Sequence, residues 1–207
     1  MIEIIDLILH VDTYLGTLIT TFGPMVYAVL FGIIFCETGL VFLPFFPGDS
    51  LIFIAGAFAA KGLLDIILLF ALLSIAAIAG DSVNYAIGKY FGEKVFIEKK
   101  LLKREHLDRT KAFFEKHGGK AIFLARFVPI IRTVAPFVAG VGQMHYPYFL
   151  KFNVIGGLVW VSLFLFSGYF LGSIPLIQDN MTLLILGIII VSFIPIAVEY
   201  LREKHKK

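Results

Sequence analysis

Four charged side chains lie in two segments that are otherwise apolar enough to enter a lipid bilayer. Glu37 and Asp49 belong to the first segment, and Arg126 and Arg132 belong to the second. A carboxylate at the centre of a bilayer costs about 2.5–3.5 kcal/mol, so two of them cost about 5–7 kcal/mol. Since the net stability of a folded protein is only about 5–15 kcal/mol, a cost of this size indicates that the two acids have a function.

The two acids suit proton transfer if the fold brings them together. Glu37 and Asp49 are twelve residues apart with Pro44 and Pro47 between them, so they do not share one helix face. The tip of a helical hairpin would still bring both carboxyl groups into one desolvated environment, which suits a proton carrier. The alternative is a structural role at a helix end, because Asp49 follows Gly48 before a new apolar run and suits an N-cap.

The two arginines suit the binding of an anion. Arg126 and Arg132 are six residues apart with Pro129 between them. An arginine stays charged, and its planar fork matches the oxygens of a phosphate. The alternative is that the arginines neutralise Glu37 and Asp49. The two interpretations are compatible, because arginines that exchange carboxylate partners for a phosphate would couple anion binding to protonation.

Other polar and aromatic residues are weaker candidates for a functional role. Asp81 lies late in the next apolar segment, where it is either a second proton-transfer group or the partner in an interhelical hydrogen bond. Trp160 is predicted to be a packing residue. His117 and His145 lack metal-ligand spacing, and the single cysteine, Cys36, lies in an apolar stretch. We therefore expect no metal and no cofactor.

The composition is that of an integral membrane protein. The 207 residues are 59% hydrophobic and 16% charged, with a mean hydropathy of +0.91, whereas soluble domains have about 45–50% apolar and about 25% charged residues. The chain is too short for a soluble domain beside the membrane part, so we predict a single membrane domain. The motifs of ATP-driven pumps, serine hydrolases and zinc proteases are missing, which disfavours an enzyme. Nothing indicates a nucleic-acid partner.

Prolines and glycines interrupt both charged segments, and this predicts an all-α polytopic membrane protein with two re-entrant helical hairpins. Broken backbone at membrane depth is tolerated only where protein or a water-filled cavity covers it. Each broken segment ends in Ala-Gly, and each is followed by a full span that closes with two glycines four residues apart. The residues predicted to break or hinge the helices are Pro44, Pro47, Gly48, Pro129 and Pro136.

The distribution of charge predicts the order and orientation of the remaining elements. No Lys or Arg precedes Lys61, whereas nine occur between Lys94 and Lys120 and four more follow from Arg202, so the positive-inside rule places these two segments and the C-terminus in the cytoplasm. One full span separates the hairpins, which are then inverted repeats of the kind found in secondary transporters. Small-residue helix faces are also compatible with a homodimer. The predicted elements are an amphipathic helix at 1–22, a hairpin at 24–60, a span at 66–92, a cytoplasmic amphipathic segment at 93–120, a second hairpin at 121–142, spans at 148–172 and 181–201, and a tail at 202–207.

Four longer motifs are spread along the chain between residues 35 and 160. They are FCETGLVFLPFFPGDS, GDSVNYAIGKYFG, HGGKAIFLARFVPIIRTVAPFVAG and NVIGGLVW. Together they resemble the DedA family of bacterial inner-membrane proteins, which belongs to a wider group that includes eukaryotic lipid scramblases of autophagy. The resemblance extends over nearly the whole chain. It implies a pair of opposed re-entrant loops, an essential acidic pair at Glu37 and Asp49, and an essential arginine pair at Arg126 and Arg132.

The resemblance also implies transport that depends on the proton-motive force. Some members are implicated in returning undecaprenyl phosphate, the lipid carrier of cell-wall synthesis, to the cytoplasmic leaflet, and others are linked to phosphatidylethanolamine. The expected partners are therefore a phospholipid or polyprenyl phosphate, protons and the membrane. Two other interpretations stay open, namely proton-coupled exchange of a small ion and a membrane scaffold that affects other proteins indirectly.

Overall fold

The computed structural model describes residues 11–40, 48–91 and 118–172 together with Ile174, and all regular structure in these ranges is helical. The predicted all-α class is therefore confirmed for this part of the chain. Pro44 and Pro47, most of the cytoplasmic segment, the last span at 181–201 and the tail lie outside the described residues. The helices are α1 (Val11–Phe22), α2 (Val26–Gly39), α3 (Gly48–Ala60), α4 (Ile66–Phe91), α5 (Gly119–Ala125), α6 (Pro129–Val141) and α7 (Tyr146–Gly172).

Three helical stretches in the described ranges are long and apolar enough to cross a membrane. They are Leu15–Gly39, Ile66–Phe91 and Tyr146–Gly172, with 25, 26 and 27 residues, whereas a bilayer needs about 20. The last two lie close to the predicted spans at 66–92 and 148–172. The membrane character of the chain thus has a structural basis in the length of these helices.

The first of these stretches differs from the predicted division at Gly23 and Pro24. A single 3₁₀ turn, Gly23–Met25, joins α1 to α2, so the helical path continues through the two residues expected to separate an interfacial helix from a hairpin. Gly23 has a φ of +51°, which glycine adopts without steric penalty. Pro24 follows at the start of the turn, where a missing N–H costs little. Gly23 and Pro24 therefore do not end the helical path.

Shorter apolar helices lie in both charged segments. Helix α3 is buried along most of its length, as expected for a helix that is apolar on every side. Helix α5 ends at Ala125, and α6 begins at Pro129 after Val128 adopts an extended conformation, which proline imposes on the residue before it. Pro136 lies inside α6, so the helix continues through a residue at which a break was predicted. The re-entrant path of the two segments stays a prediction.

The described residues form two compact units. Unit 1 comprises residues 11–33, 48–73 and 161–172 with Ile174, and unit 2 comprises residues 34–40, 74–91 and 118–160. In unit 2, an apolar cluster of buried side chains joins α4, α5, α6 and α7. Tyr85 is central to it, since its ring stacks on Phe149 with centroids 4.6 Å apart and its hydroxyl donates to the carbonyl of Met144. The full cluster is Tyr85, Ile122, Ala139, Met144 and Phe149.

Glycines bring helix backbones into direct contact in unit 1. A Cβ atom on Gly56 of α3 would overlap the carbonyl oxygen of Leu165 on α7, and one on Gly168 of α7 would overlap the carbonyl oxygen of Phe53 on α3. Only glycine leaves room for such an approach, which is a common way of packing helices in membranes. The short helix α3 is therefore packed against the second half of α7 through paired glycines.

Unit 2 contains the same pattern of contacts. Gly140 of α6 faces the carbonyl oxygen of Tyr85 on α4, and Gly88 of α4 faces the carbonyl oxygen of Phe137 on α6. The short-helix positions of the two units differ by 84 residues (140 − 56 and 137 − 53), and the long-helix positions differ by 80 (168 − 88 and 165 − 85). In each unit, a short helix therefore packs on a long helix through glycines at corresponding spacings.

Candidate functional site

Arg126 lies in the break between α5 and α6 and is held by groups from two other helices. Its Nη2 donates to Oδ2 of Asp81 on α4 and, at 2.6 Å, to Oδ1 of Asn153 on α7. The side chains of Arg126 and Asp81 are only 5% and 7% exposed. A buried guanidinium without a counter-ion is strongly destabilising, so the break places Arg126 where a carboxylate and a carboxamide can satisfy it.

Arg132 lies near the start of α6 and pairs with the first acid of the sequence. Its Nη2 donates to Oε1 of Glu37, which is close to the end of α2. The side chains of Arg132 and Glu37 are 9% and 1% exposed. The counter-ion interpretation therefore describes the contact between Glu37 and Arg132, whereas the carboxylate bound to Arg126 is that of Asp81.

Trp160 on α7 contacts both arginines. The Cζ atoms of Arg126 and Arg132 lie 5.8 and 5.1 Å from the centroid of its ring system. Trp160 is almost completely buried, and the face of an indole attracts cations more strongly than that of any other side chain. The prediction of a packing role for Trp160 was therefore incomplete, because the indole is also a common surface for the two guanidinium groups.

A small cavity lies beside the two ion pairs in unit 2. Its volume is about 10 Å³, close to the smallest space that holds one water molecule. A phosphate group is larger than this cavity. The residues that line the cavity are Thr38, Asp81, Arg126, Arg132, Thr133 and Trp160.

Two buried asparagines form hydrogen bonds around the site, and neither is predicted from the sequence as a site residue. Asn153 receives the hydrogen bond from Arg126 and donates from Nδ2 to the carbonyl of Ile78 at 2.9 Å. Asn84 donates from Nδ2 to the carbonyls of Thr38 and Thr133 at 3.1 and 2.7 Å. A carboxamide inside an apolar span is unusual unless it is hydrogen-bonded, and this signal could have identified both residues.

The remaining predicted site residues within the described ranges lie in α3 and α6. Asp49 is half-buried in the first turn of α3 and belongs to unit 1, and its part in the site stays a prediction. Gly48 is the first residue of α3, and Pro129 is the first residue of α6. Pro136 lies one turn after Arg132 within α6. In unit 2, the fold thus joins Glu37, Asp81 and both arginines.

Comparisons with known proteins identify the family of the chain. Residues 46–170 match the model of the VTT domain. The chain is 56% identical over 206 residues to Protein DedA of Escherichia coli K12, which covers 98% of this chain and 94% of that protein. It is 40% identical over 185 residues to an uncharacterized membrane protein of Mycobacterium tuberculosis H37Rv, and this alignment covers 87% of this chain and 81% of that protein. It is 35% identical over 158 residues to the inner membrane protein YghB of E. coli K12, with 75% of this chain and 72% of that protein covered. No solved structure gives a significant match.

Proposed function

The chain belongs to the DedA family of VTT-domain membrane proteins, and from this premise we propose that it is a transporter that moves a phosphate-bearing lipid between the leaflets of the bacterial inner membrane. The observation that carries the proposal is the pair of buried arginines on one indole, each bound to a carboxylate. The lipid tail stays in the bilayer, so the protein needs to shelter only the headgroup. The proposed orientation keeps the C-terminus in the cytoplasm.

The charge of the site favours a phosphate monoester as the substrate. Two guanidinium groups carry two positive charges and ten N–H donors. A phosphate monoester carries about −1.5 to −2 charges at neutral pH, which nearly balances them, whereas the headgroup of phosphatidylethanolamine has no net charge. Our best candidate is therefore undecaprenyl phosphate, carried back to the cytoplasmic leaflet. Phosphatidylethanolamine or another phospholipid is the alternative within the same mechanism.

The ion pairs provide a route for coupling transport to protons. Protonation of Glu37 and Asp81 would remove the charges that hold Arg132 and Arg126, and the free guanidinium groups would then bind the phosphate. Proton release would restore the ion pairs and expel the headgroup. Asp49 keeps its proposed part in proton uptake. The membrane potential supplies about 2.3 kcal/mol per charge per 100 mV, enough to bias such a cycle.

The test is leaflet exchange of labelled undecaprenyl phosphate in liposomes that contain the purified protein. Exchange is expected with the wild type under a proton gradient and is expected to be lost in Arg126→Ala and Glu37→Ala. Lys151→Ala serves as the control, because Lys151 is exposed on α7. Exchange that persists in the two site variants, or is missing in the wild type, contradicts the proposal. The same assay with labelled phosphatidylethanolamine separates the two lipid substrates.

The size of the cavity favours one further candidate, proton-coupled exchange of a small ion. A volume of about 10 Å³ suits a water molecule or a bare ion better than a phosphate. Liposomes without labelled lipid distinguish this activity. If the pH gradient dissipates only when a salt is added, and only with Glu37 intact, the result would support ion exchange. If it dissipates only when the phosphate lipid is present, the result would support lipid transport.

A further inference from the structure

One carboxamide connects the two backbone segments that carry the Glu37–Arg132 ion pair. Asn84 on α4 is fully buried, and its Nδ2 donates to the carbonyl oxygens of Thr38 and Thr133. Thr38 directly follows Glu37, and Thr133 directly follows Arg132. Each hydrogen bond therefore fixes the residue next to one member of the ion pair.

The two carbonyls lie at, or next to, a point where regular helical hydrogen bonding is weakened. Thr38 is in the last turn of α2, where carbonyl groups lack a donor from the same helix. Pro136 has no N–H to donate to the carbonyl of Arg132, four residues earlier, and Thr133 directly follows that residue. Asn84 thus donates from a third helix to a carbonyl in the last turn of α2 and to the carbonyl next to the one that Pro136 leaves without a helical donor.

The orientation of the Asn84 amide follows from its neighbours. Both groups that it contacts are carbonyl oxygens, which only accept hydrogen bonds, so the nitrogen must face them. Its Oδ1 is buried, with no hydrogen-bond partner among the described residues. An unsatisfied buried acceptor is unfavourable for stability, so the side chain is not optimised for folding alone.

We propose that Asn84 is a positioning residue of the transport site and that its two hydrogen bonds hold Glu37 and Arg132 in contact. The expected effect of Asn84 on transport rests on the proposed function, in which the phosphate enters when this ion pair separates. When the end of α2 and the start of α6 move apart, at least one hydrogen bond of Asn84 breaks. Asn84 therefore sets how readily the site opens.

The test uses Asn84→Leu, which keeps the size of the side chain and removes both donors. Its matched control is Tyr85→Phe, which removes a buried hydrogen bond to the Met144 carbonyl from the neighbouring position of the same helix. The first readout is the reaction of a Thr133→Cys thiol with a water-soluble reagent in liposomes without substrate. Because Asn84 binds the backbone of Thr133, this substitution leaves the hydrogen bond in place, and Cys36→Ser removes the chain's one native thiol.

Asn84→Leu is expected to raise the labelling rate of the Thr133→Cys thiol about tenfold, the effect of losing two hydrogen bonds, and to change proton-driven exchange of undecaprenyl phosphate by a similar factor. Tyr85→Phe is expected to change neither. Equal labelling in the two variants would overturn the inference. If labelling responds as expected but the wild type transports no lipid, the positioning role holds and the proposed function fails.

Discussion

Arg126 is paired with Asp81, a residue 45 positions earlier in the chain. This contact gives Asp81 a defined place in the site, where the sequence left a choice between proton transfer and an interhelical hydrogen bond. It also means that each buried arginine of the site has its own carboxylate, because Glu37 binds Arg132. The two carboxylates therefore balance the charges of the two arginines, and the proposed phosphate substrate would have to compete with both carboxylates.

The Asp81–Arg126 pair is expected to show the asymmetry of buried ion pairs. Asp81→Leu should lower the free energy of unfolding by about 3–5 kcal/mol, because it leaves a buried guanidinium without a counter-ion. Adding Arg126→Leu should recover most of that loss, while lipid exchange stays absent. Thermal unfolding in detergent measures the first effect. Asp65→Asn is the control, since Asp65 is exposed and an asparagine can still accept the hydrogen bond from the Leu68 N–H. An unchanged free energy of unfolding in Asp81→Leu would show that the ion pair does not stabilise the protein.

Trp160 is the only tryptophan of the chain, so its fluorescence should report directly on the site. Both guanidinium groups lie within 6 Å of its ring and would move when a phosphate binds. Adding undecaprenyl phosphate to the purified protein is expected to shift the emission, and the shift is expected to be lost in Arg126→Ala. An identical response to a lipid without a phosphate would contradict binding of the headgroup at this position.

The planar, multi-donor shape of the Arg126 guanidinium is expected to matter more for transport than its charge. Arg126→Lys keeps the positive charge but replaces the planar fork with a single ammonium group. Lipid exchange should fall at least about tenfold, while thermal stability falls less than in Arg126→Leu because an ammonium can still pair with Asp81. The exchange assay and thermal unfolding measure the two effects. Lys151→Arg, an exchange of cations at an exposed position, is the control. Full transport activity of Arg126→Lys would contradict the proposal that the planar fork of Arg126 binds the phosphate.

The glycine contacts of the two units should be equally sensitive to an added methyl group. Gly88→Ala and Gly168→Ala each force a Cβ against the carbonyl of a neighbouring helix and are expected to destabilise the protein by about 1–3 kcal/mol. Gly32→Ala is the matched control, because its Cβ would meet nothing within 4 Å. In the interior of a helix that change should stabilise by about 0.5–1 kcal/mol. Thermal unfolding of the three variants is the measurement, and a difference between Gly88→Ala and Gly168→Ala would argue against an equivalent packing role.

Much of the candidate site could be predicted from composition and spacing. Charges are rare in apolar segments because removing them from water is costly, so Glu37, Arg126 and Arg132 stood out before any fold was known. The full spans that contain Asp81 and Trp160 were visible from their length and apolar character. Prolines also indicated a break in the second segment, and the structure places it at residues 126–128, before Pro129.

The partners of these residues could not be predicted in the same way, because they depend on which helix faces meet. The sequence does not show that Asp81 faces Arg126, that one indole contacts two arginines, or that Asn84 donates to two carbonyls from separate helices. Backbone-to-backbone contacts at Gly88 and Gly140 bring α4 and α6 close enough for these interactions. The types of residue revealed that buried charges must be satisfied, and the packing of the helices selected the group that satisfies each one.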